Sequence, residues 1–395
     1  MKRTALLLSA SLLLCAALPA AFGQRQLPTL KPYTTVLPAR NFNLQEAKAA
    51  AVSATGLQIW TKTIKATKNG KSYTFAMVGQ NPFTSTVTTN IPTVVIPVIV
   101  KIGTTTFNPT VADTTCMVAP NDVPKTVFRQ SPLFNGHAFT MNGIGEGTTQ
   151  YIDAFQRANF AMNVAANYHT KLSTITVLSA QTFKVPAGSG SVNSTAGFGN
   201  GGCGPKHNPA GKFGIMDINA FDPWVTSVAL PAAHVTPNQF PILLLYNVVM
   251  SVGLPTINNC CINGYHGAIG GQTYSPMEFD ETGIFGSAVS DTSVAAHEIG
   301  EWMDDPFGNN PTPAWGHIGQ VGGCQGNLED GDPLSGTMFP AVKMSNGFTY
   351  HLQELAFMSW FYNSSTTPST AAGGKFSDNG TFKGPSKVCP PGGTF

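Results

Sequence analysis

The 395-residue chain reads as an α+β protein with a mixed sheet. Three observations lead there. Short runs rich in β-branched residues recur with turn residues between them, which is strand punctuation. Two stretches, near residues 148–164 and 291–305, change to helical spacing. Charged residues make up only 11%, while 41 glycines and 29 prolines supply loops.

The elements follow in order. Lys2 and Arg3 precede an apolar run over residues 5–18, with small residues at Ala20, Ala21 and Gly23. That order predicts a secretory signal peptide over residues 1–23, cleaved after Gly23. A lipid anchor at Cys15 is disfavoured because Leu14 stands where that motif wants a small residue. No later run reaches the ~18 apolar residues of a membrane helix. The expected location is therefore secreted, periplasmic or extracellular, with no membrane span.

Residues 24–120 are expected to form a β-rich N-terminal region, and residues 24–55 could serve as a prosegment. An Ala-rich helix is expected over 44–52. Strands at 59–66 and 72–78 flank Lys68-Asn69-Gly70-Lys71, a strong hairpin signal. Pro97 inside the run 94–102 predicts an edge strand or a bulge. Residues 121–395 are expected to form the main α+β domain with a Gly/Ser/Thr-rich tail. Within it, Thr148 or Thr149 can cap a helix, and strands are expected at 172–178 and 240–249. A long Gly/Ser/Asn loop covers 186–212, and a buried helix is expected at 352–362.

Beyond residue 23 there are six cysteines, at 116, 203, 260, 261, 324 and 389. An even number in an exported chain argues for disulfides. Adjacent Cys260 and Cys261 are expected to take different partners. Net charge is +2, which gives no electrostatic footprint for nucleic acid.

Acidic residues are scarce, 20 in all, and 11 lie between Glu278 and Asp332. A chain so sparing of charge points to a cation site there. Its centre is Asp291-Thr-Ser-Val-Ala-Ala-His297-Glu298-Ile-Gly-Glu301-Trp-Met-Asp304-Asp305-Pro306. Asp291, Thr292 or Ser293 can cap this helix and Pro306 can stop it. His297 and Glu301, four apart, share one face and can grip one ion. Glu298 lies about 100° round the helix.

His297-Glu298-x-x-Glu301 resembles the HExxH helix of zincin metallopeptidases, with glutamate in place of the second histidine. The resemblance implies that His297 and Glu301 bind the metal and that Glu298 is the general base. It also suggests Glu329, 28 residues beyond Glu301, as third ligand. Gluzincins take theirs from a downstream Glu, although Gly331 and Pro333 here predict a turn rather than a helix. Two carboxylate ligands weaken the pull of a dication on bound water, so Mn²⁺ or Ca²⁺ stand as alternatives to Zn²⁺.

Asp304 and Asp305 are the second choice of ligand. Their negative charge at a helix C-terminus needs compensation, by a metal or by a turn at Asn309 and Asn310. His266 and His317 rank lower. Tyr350 or His351 could polarise a carbonyl, but an ordinary strand residue is the simpler reading. Trp302 and Trp315 are expected to pack over the acidic helix.

The expected function is a secreted metal-dependent hydrolase, a zincin-like peptidase acting on a peptide or protein. The alternative is a non-catalytic exported binding or adhesion protein whose 278–332 acidic cluster holds a structural cation. An open coordination position beside a cleft would favour the enzyme; a closed shell would favour the structural role.

Overall fold

The computed structural model describes residues 30–113, 122–160, 164–196, 198, 211–363, 375–387 and 389. The segment read as a signal peptide, residues 1–23, together with Cys116, Cys203 and most of the C-terminal tail, lies outside the described residues. No helix among the described residues is long and apolar enough to cross a membrane.

In chain order the chain runs β1 (Tyr33–Arg40), α1 (Leu44–Val52), β2 (Ile59–Lys65), β3 (Ser72–Val78), β4 (Thr88–Ile102) and β5 (Thr105–Phe107). There follow α2 (Pro124–Arg129), β6 (His137–Met141), β7 (Ile144–Thr149), α3 (Tyr151–Asn159), β8 (His169–Val177) and β9 (Gln181–Lys184). Next come β10 (Gly190–Ser194), β11 (Lys212–Asp217), α4 (Ile218–Trp224), α5 (Leu230–Ala232), β12 (Phe240–Tyr246), β13 (Val248–Ser251), β14 (Cys260–Ile269) and β15 (Gln272–Phe279). The last third holds α6 (Ser293–Asp304), β16 (Pro311–Ile318), β17 (Val321–Asn327), β18 (Met338–Lys343), β19 (Thr349–Gln353) and α7 (Met358–Tyr362).

The fold is α+β, as expected. Its backbone is an 11-stranded mixed sheet with the central order β10-β11-β13-β14-β15-β12-β4-β5. Strand β4 also pairs with β8 and β9, and β1 adds in parallel to β14. Strands from residues before 120 thus share one sheet with strands from the later part of the chain. The hairpins β2–β3, β6–β7, β16–β17 and β18–β19 stand apart as two-stranded sheets.

Local chemistry explains several elements. Asn43 caps α1, its side chain accepting from the Gln45 and Glu46 N–H groups. Gly70, at φ +69°, turns the chain between β2 and β3. Strand β4 is interior and buried rather than an edge. Pro97 is tolerated because β8 pairs only as far as Val95 and β9 starts at Val98, so no neighbour on that side needs its missing N–H.

Other expectations shift. The run 240–249 is two strands, broken where Asn247 takes φ +54°. Inside the stretch read as a long loop, 190–194 is strand β10. Leu352 belongs to β19, so the last helix is only Met358–Tyr362. Helix α3 begins at Tyr151, and Thr149 spends its hydroxyl on the Asp153 carboxylate instead of capping. Cys260 and Cys261 bond to each other, across a cis peptide, and not to separate partners. Cys389 pairs with Cys324, closing the described tail onto β17.

Helix α6 packs against β14, β15, β3 and β19. All twelve of its residues are buried. Trp302 stacks on Phe240 with ring centroids 3.6 Å apart and donates Nε1–H to Thr273. Polar groups on such a helix must find partners inside the protein.

Candidate metal centre

Helix α6 starts just after Asp291, but Asp291 does not cap it in the usual way. Its carboxylate accepts the Thr292 and His351 N–H groups and meets His351 Nδ1 at 2.6 Å. This ties the helix start to β19. At the other end, Asp305 accepts N–H groups from Asn309 and Asn310. Asp304 receives the Gln156 amide and, at 3.2 Å, the Asn159 amide. Burial pushes both carboxyls up to about 7. The compensation at this C-terminus is therefore a polar turn and two amides. Neither aspartate belongs to a group of converging ligand atoms.

One turn of α6 brings His297 and Glu301 together as the spacing predicts. Nε2 of His297 lies 2.8 Å from Glu301 Oε1. The third member is Asp332, whose Oδ1 is 3.5 Å from the same nitrogen. Ligand atoms of these three side chains lie within 4.8 Å of one another. Zinc bonds of about 2.0–2.2 Å in a tetrahedron set donors roughly 3.3–3.6 Å apart; the His297–Asp332 separation falls in that range, while the 2.8 Å His297–Glu301 contact is at hydrogen-bond distance and has to open by about 0.5 Å around an ion. The Gly331 and Asp332 N–H groups both donate to Glu301 Oε1 at 3.2 Å, which sets the loop carrying Asp332 over the helix.

Charge in this group is tightly constrained. Burial alone would lower the His297 pKa, but Glu301, Asp332 and Glu298 outweigh it and hold it well above the ordinary value. Burial would raise Glu301, yet His297 and then His266 keep it lowered. Asp332 is pushed up to about 6 by burial and by Glu301. Glu298 is raised well above normal by burial and by Glu301.

Glu298 and Glu329 both lie against His266, which also faces Glu301. Glu298 Oε2 is 3.3 Å from His266 Nδ1 on β14, while its Oε1 has no hydrogen-bond partner. Glu329 Oε2 is 3.9 Å from His266 Nε2. Glu329 is thus near Glu301 but outside the His297 group. His266, ranked low from sequence, is fully buried among these carboxylates. Two glycines make the room: a Cβ on Gly264 would sit 2.9 Å from Glu298 Cγ, and one on Gly331 would sit 2.5 Å from His297 Nδ1.

A roof covers the His297 side. The Thr34 hydroxyl of β1 is 2.5 Å from His297 Nε2. Gln320 grips Thr34 through its backbone, accepting its N–H and donating to its C=O, both at 2.9 Å. Around them lies a cavity of about 650 Å³ lined by β1 residues, Gln320, Gly323 and Asp332. Thr34 and Gln320 carry no sequence signal, since neither sits in a recognisable motif.

The remaining candidates fall elsewhere. His317 neighbours Cys324 and Cys389, whose sulfurs are joined and cannot act as thiolate ligands. Tyr350 is buried, donating to the Val127 carbonyl and accepting from Asn346. His351 is held by Asp291, and Trp315 packs against Trp360 and Phe361.

Fold and site together define an α+β protein with a buried histidine–carboxylate cluster whose ligand atoms converge closely enough that they could hold a metal ion. Neither a family model, a curated protein nor a solved structure matches the chain.

Proposed function

We propose that the chain is a secreted metal-dependent hydrolase, zincin-like and acting on peptides, with His297, Glu301 and Asp332 as the metal ligands. Asp332 takes the place that the sequence reading assigned to Glu329. One observation carries the reading: three buried donors converge, one of them, Asp332, lining a cavity large enough for a peptide segment, and a buried glutamate follows the histidine directly. Zn²⁺ suits the one-nitrogen, two-oxygen set, with Mn²⁺ or Ca²⁺ as alternatives.

A dication there would polarise water for attack on a carbonyl carbon. The chain's own groups do the rest. Glu298, which follows the histidine on the helix, takes the proton. Gln320 reads the N–H and C=O of an extended strand, as it does with Thr34. Strand β1 stands where a peptide would enter, which fits the expected prosegment role of residues 24–55.

Glu298→Gln tests the assignment on a panel of unstructured peptides, with β1 intact and after limited proteolysis of the N-terminal segment. Turnover should fall by about 10²–10⁴ while the ion held by His297 stays bound. Undiminished turnover in this variant would remove Glu298 from the chemistry.

A further inference from the structure

A second group of converging donors lies deeper than the first. His266, Glu298 and Glu301 place ligand atoms within 4.8 Å of one another, and all three side chains are buried. The distances are 3.3 Å from His266 Nδ1 to Glu298 Oε2 and 3.8 Å to Glu301 Oε2. None of the three lines the cavity beside Asp332. Glu301 faces both ways: Oε1 toward His297 and Oε2 toward His266.

The orientation of His266 points to an ion there. Its Nε2 lies 3.1 Å from the Asp305 carbonyl and can only donate to it, which leaves the Nδ1 lone pair aimed at the carboxylates. Metal-binding imidazoles are commonly held in this way, one nitrogen on the ion and the other N–H on a backbone carbonyl.

Geometry decides how many positions the cluster offers. Glu298, Glu301, Glu329 and Asp332 are all buried, and their ion pairs among the described residues are with His266 or His297 alone. The two groups of converging donors share Glu301, which presents one oxygen to each imidazole.

We infer that the chain holds a two-ion centre, in which Glu301 bridges the outer ion of His297 and Asp332 to an inner, sealed dication held by His266 and Glu298. Glu329, close to His266 on that side, supplies a further carboxylate. Glu298 meets the inner ion through Oε2 and leaves Oε1 uncommitted. The inner position is closed, so its role is to hold the carboxylates in place and ionised rather than to meet substrate. The inference rests on the hydrolase reading only for the outer ion.

The test is metal content. Chelator-stripped chain is titrated with Mn²⁺, and bound metal is counted by equilibrium dialysis with mass spectrometry. The wild-type chain should take two ions, with an electron paramagnetic resonance spectrum of an exchange-coupled pair. His266→Ala should keep one, with an isolated-ion spectrum, and His266→Gln provides a second variant should the alanine form unfold. Wild-type chain that saturates at one ion, lost in His297→Ala but kept in His266→Gln, overturns the inner site and leaves the outer one standing. No bound Mn²⁺ and no bound Zn²⁺ in wild type overturns both.

Discussion

Gly331 packs so closely on the His297 imidazole that adding one methyl group there offers a sharp perturbation. A Cβ on Gly331 would meet Nδ1, Cγ and Cε1 of His297 at 2.5, 2.6 and 2.7 Å. Ordinary contact between such atoms begins at about 3.5 Å, so in Gly331→Ala the ring must retreat by about 1 Å. It has little room to do so, since His297 is fully buried and held between Glu301 and Thr34. Overpacking of this kind costs about 1–3 kcal/mol. For a chain of this size that is a loss of roughly 1–4 °C in Tm. Misplacing a ligand by disturbing the group that orients it typically weakens metal binding about 10–100-fold. The assays are thermal unfolding of the metal-free chain and competition for Zn²⁺ with a chromophoric chelator. Gly322→Ala is the control, because a Cβ there meets nothing within 4 Å. If Gly331→Ala matched both the control and the wild type in Tm and affinity, the packing of the loop on His297 would be refuted, and with it the place of Asp332 in the metal set.

Two further outcomes follow from the same site. Asp305→Ala leaves the buried Asn310 N–H without its acceptor, at about 1–3 kcal/mol; Tm should drop while metal stoichiometry holds, and a lost ion would instead make Asp305 a ligand. The metal-free chain should lose stability between about pH 6 and 8, read by melts across that range. The sign follows from Asp332 at about 6 and from Asp304 and Asp305 at about 7, all lifted from 3.8 by burial. In that window the folded state binds more protons than the unfolded one, so raising the pH costs stability. The raised His297 pKa acts in the same direction, since its contribution is lost as pH rises through the folded value. His266, lowered to about 4 by burial, opposes only up to about 6.5, and the lowered Glu301 opposes only in acid. Saturating Zn²⁺ should flatten the profile; metal-free stability that climbs from pH 6 to 8 would contradict the buried-carboxylate picture.

How much of this was legible in the sequence depends on how local each signal is. The pairing of His297 with Glu301 needs only one helical turn, and the α6 boundaries need only the capping residues Asp291, Thr292 or Ser293 at its start and Pro306 after it. The β2–β3 hairpin likewise follows from Asn69-Gly70. The third ligand is a different kind of problem. Glu329, Asp330 and Asp332 are three carboxylates within four residues, and composition cannot rank them. What ranks them is the path of the loop, set when the Gly331 and Asp332 N–H groups donate to Glu301 Oε1. That contact joins residues 30 and 31 positions apart and has no sequence signature.

His266 failed to stand out for a related reason. A half-exposed strand reveals its inner face by alternation, but β14 is buried at nearly every position, so alternation says nothing about which side meets α6. The usable clue was Gly264, two residues before it on the same face. A glycine inside a fully buried strand marks a close approach, here to Glu298. Pairing that glycine with the histidine two residues on would have placed His266 against the helix that carries the motif. The same reasoning applies to Gly331 beside His297. In this chain the residues that shape the metal centre are announced less by the acids, which are too many, than by the two glycines that make space for them.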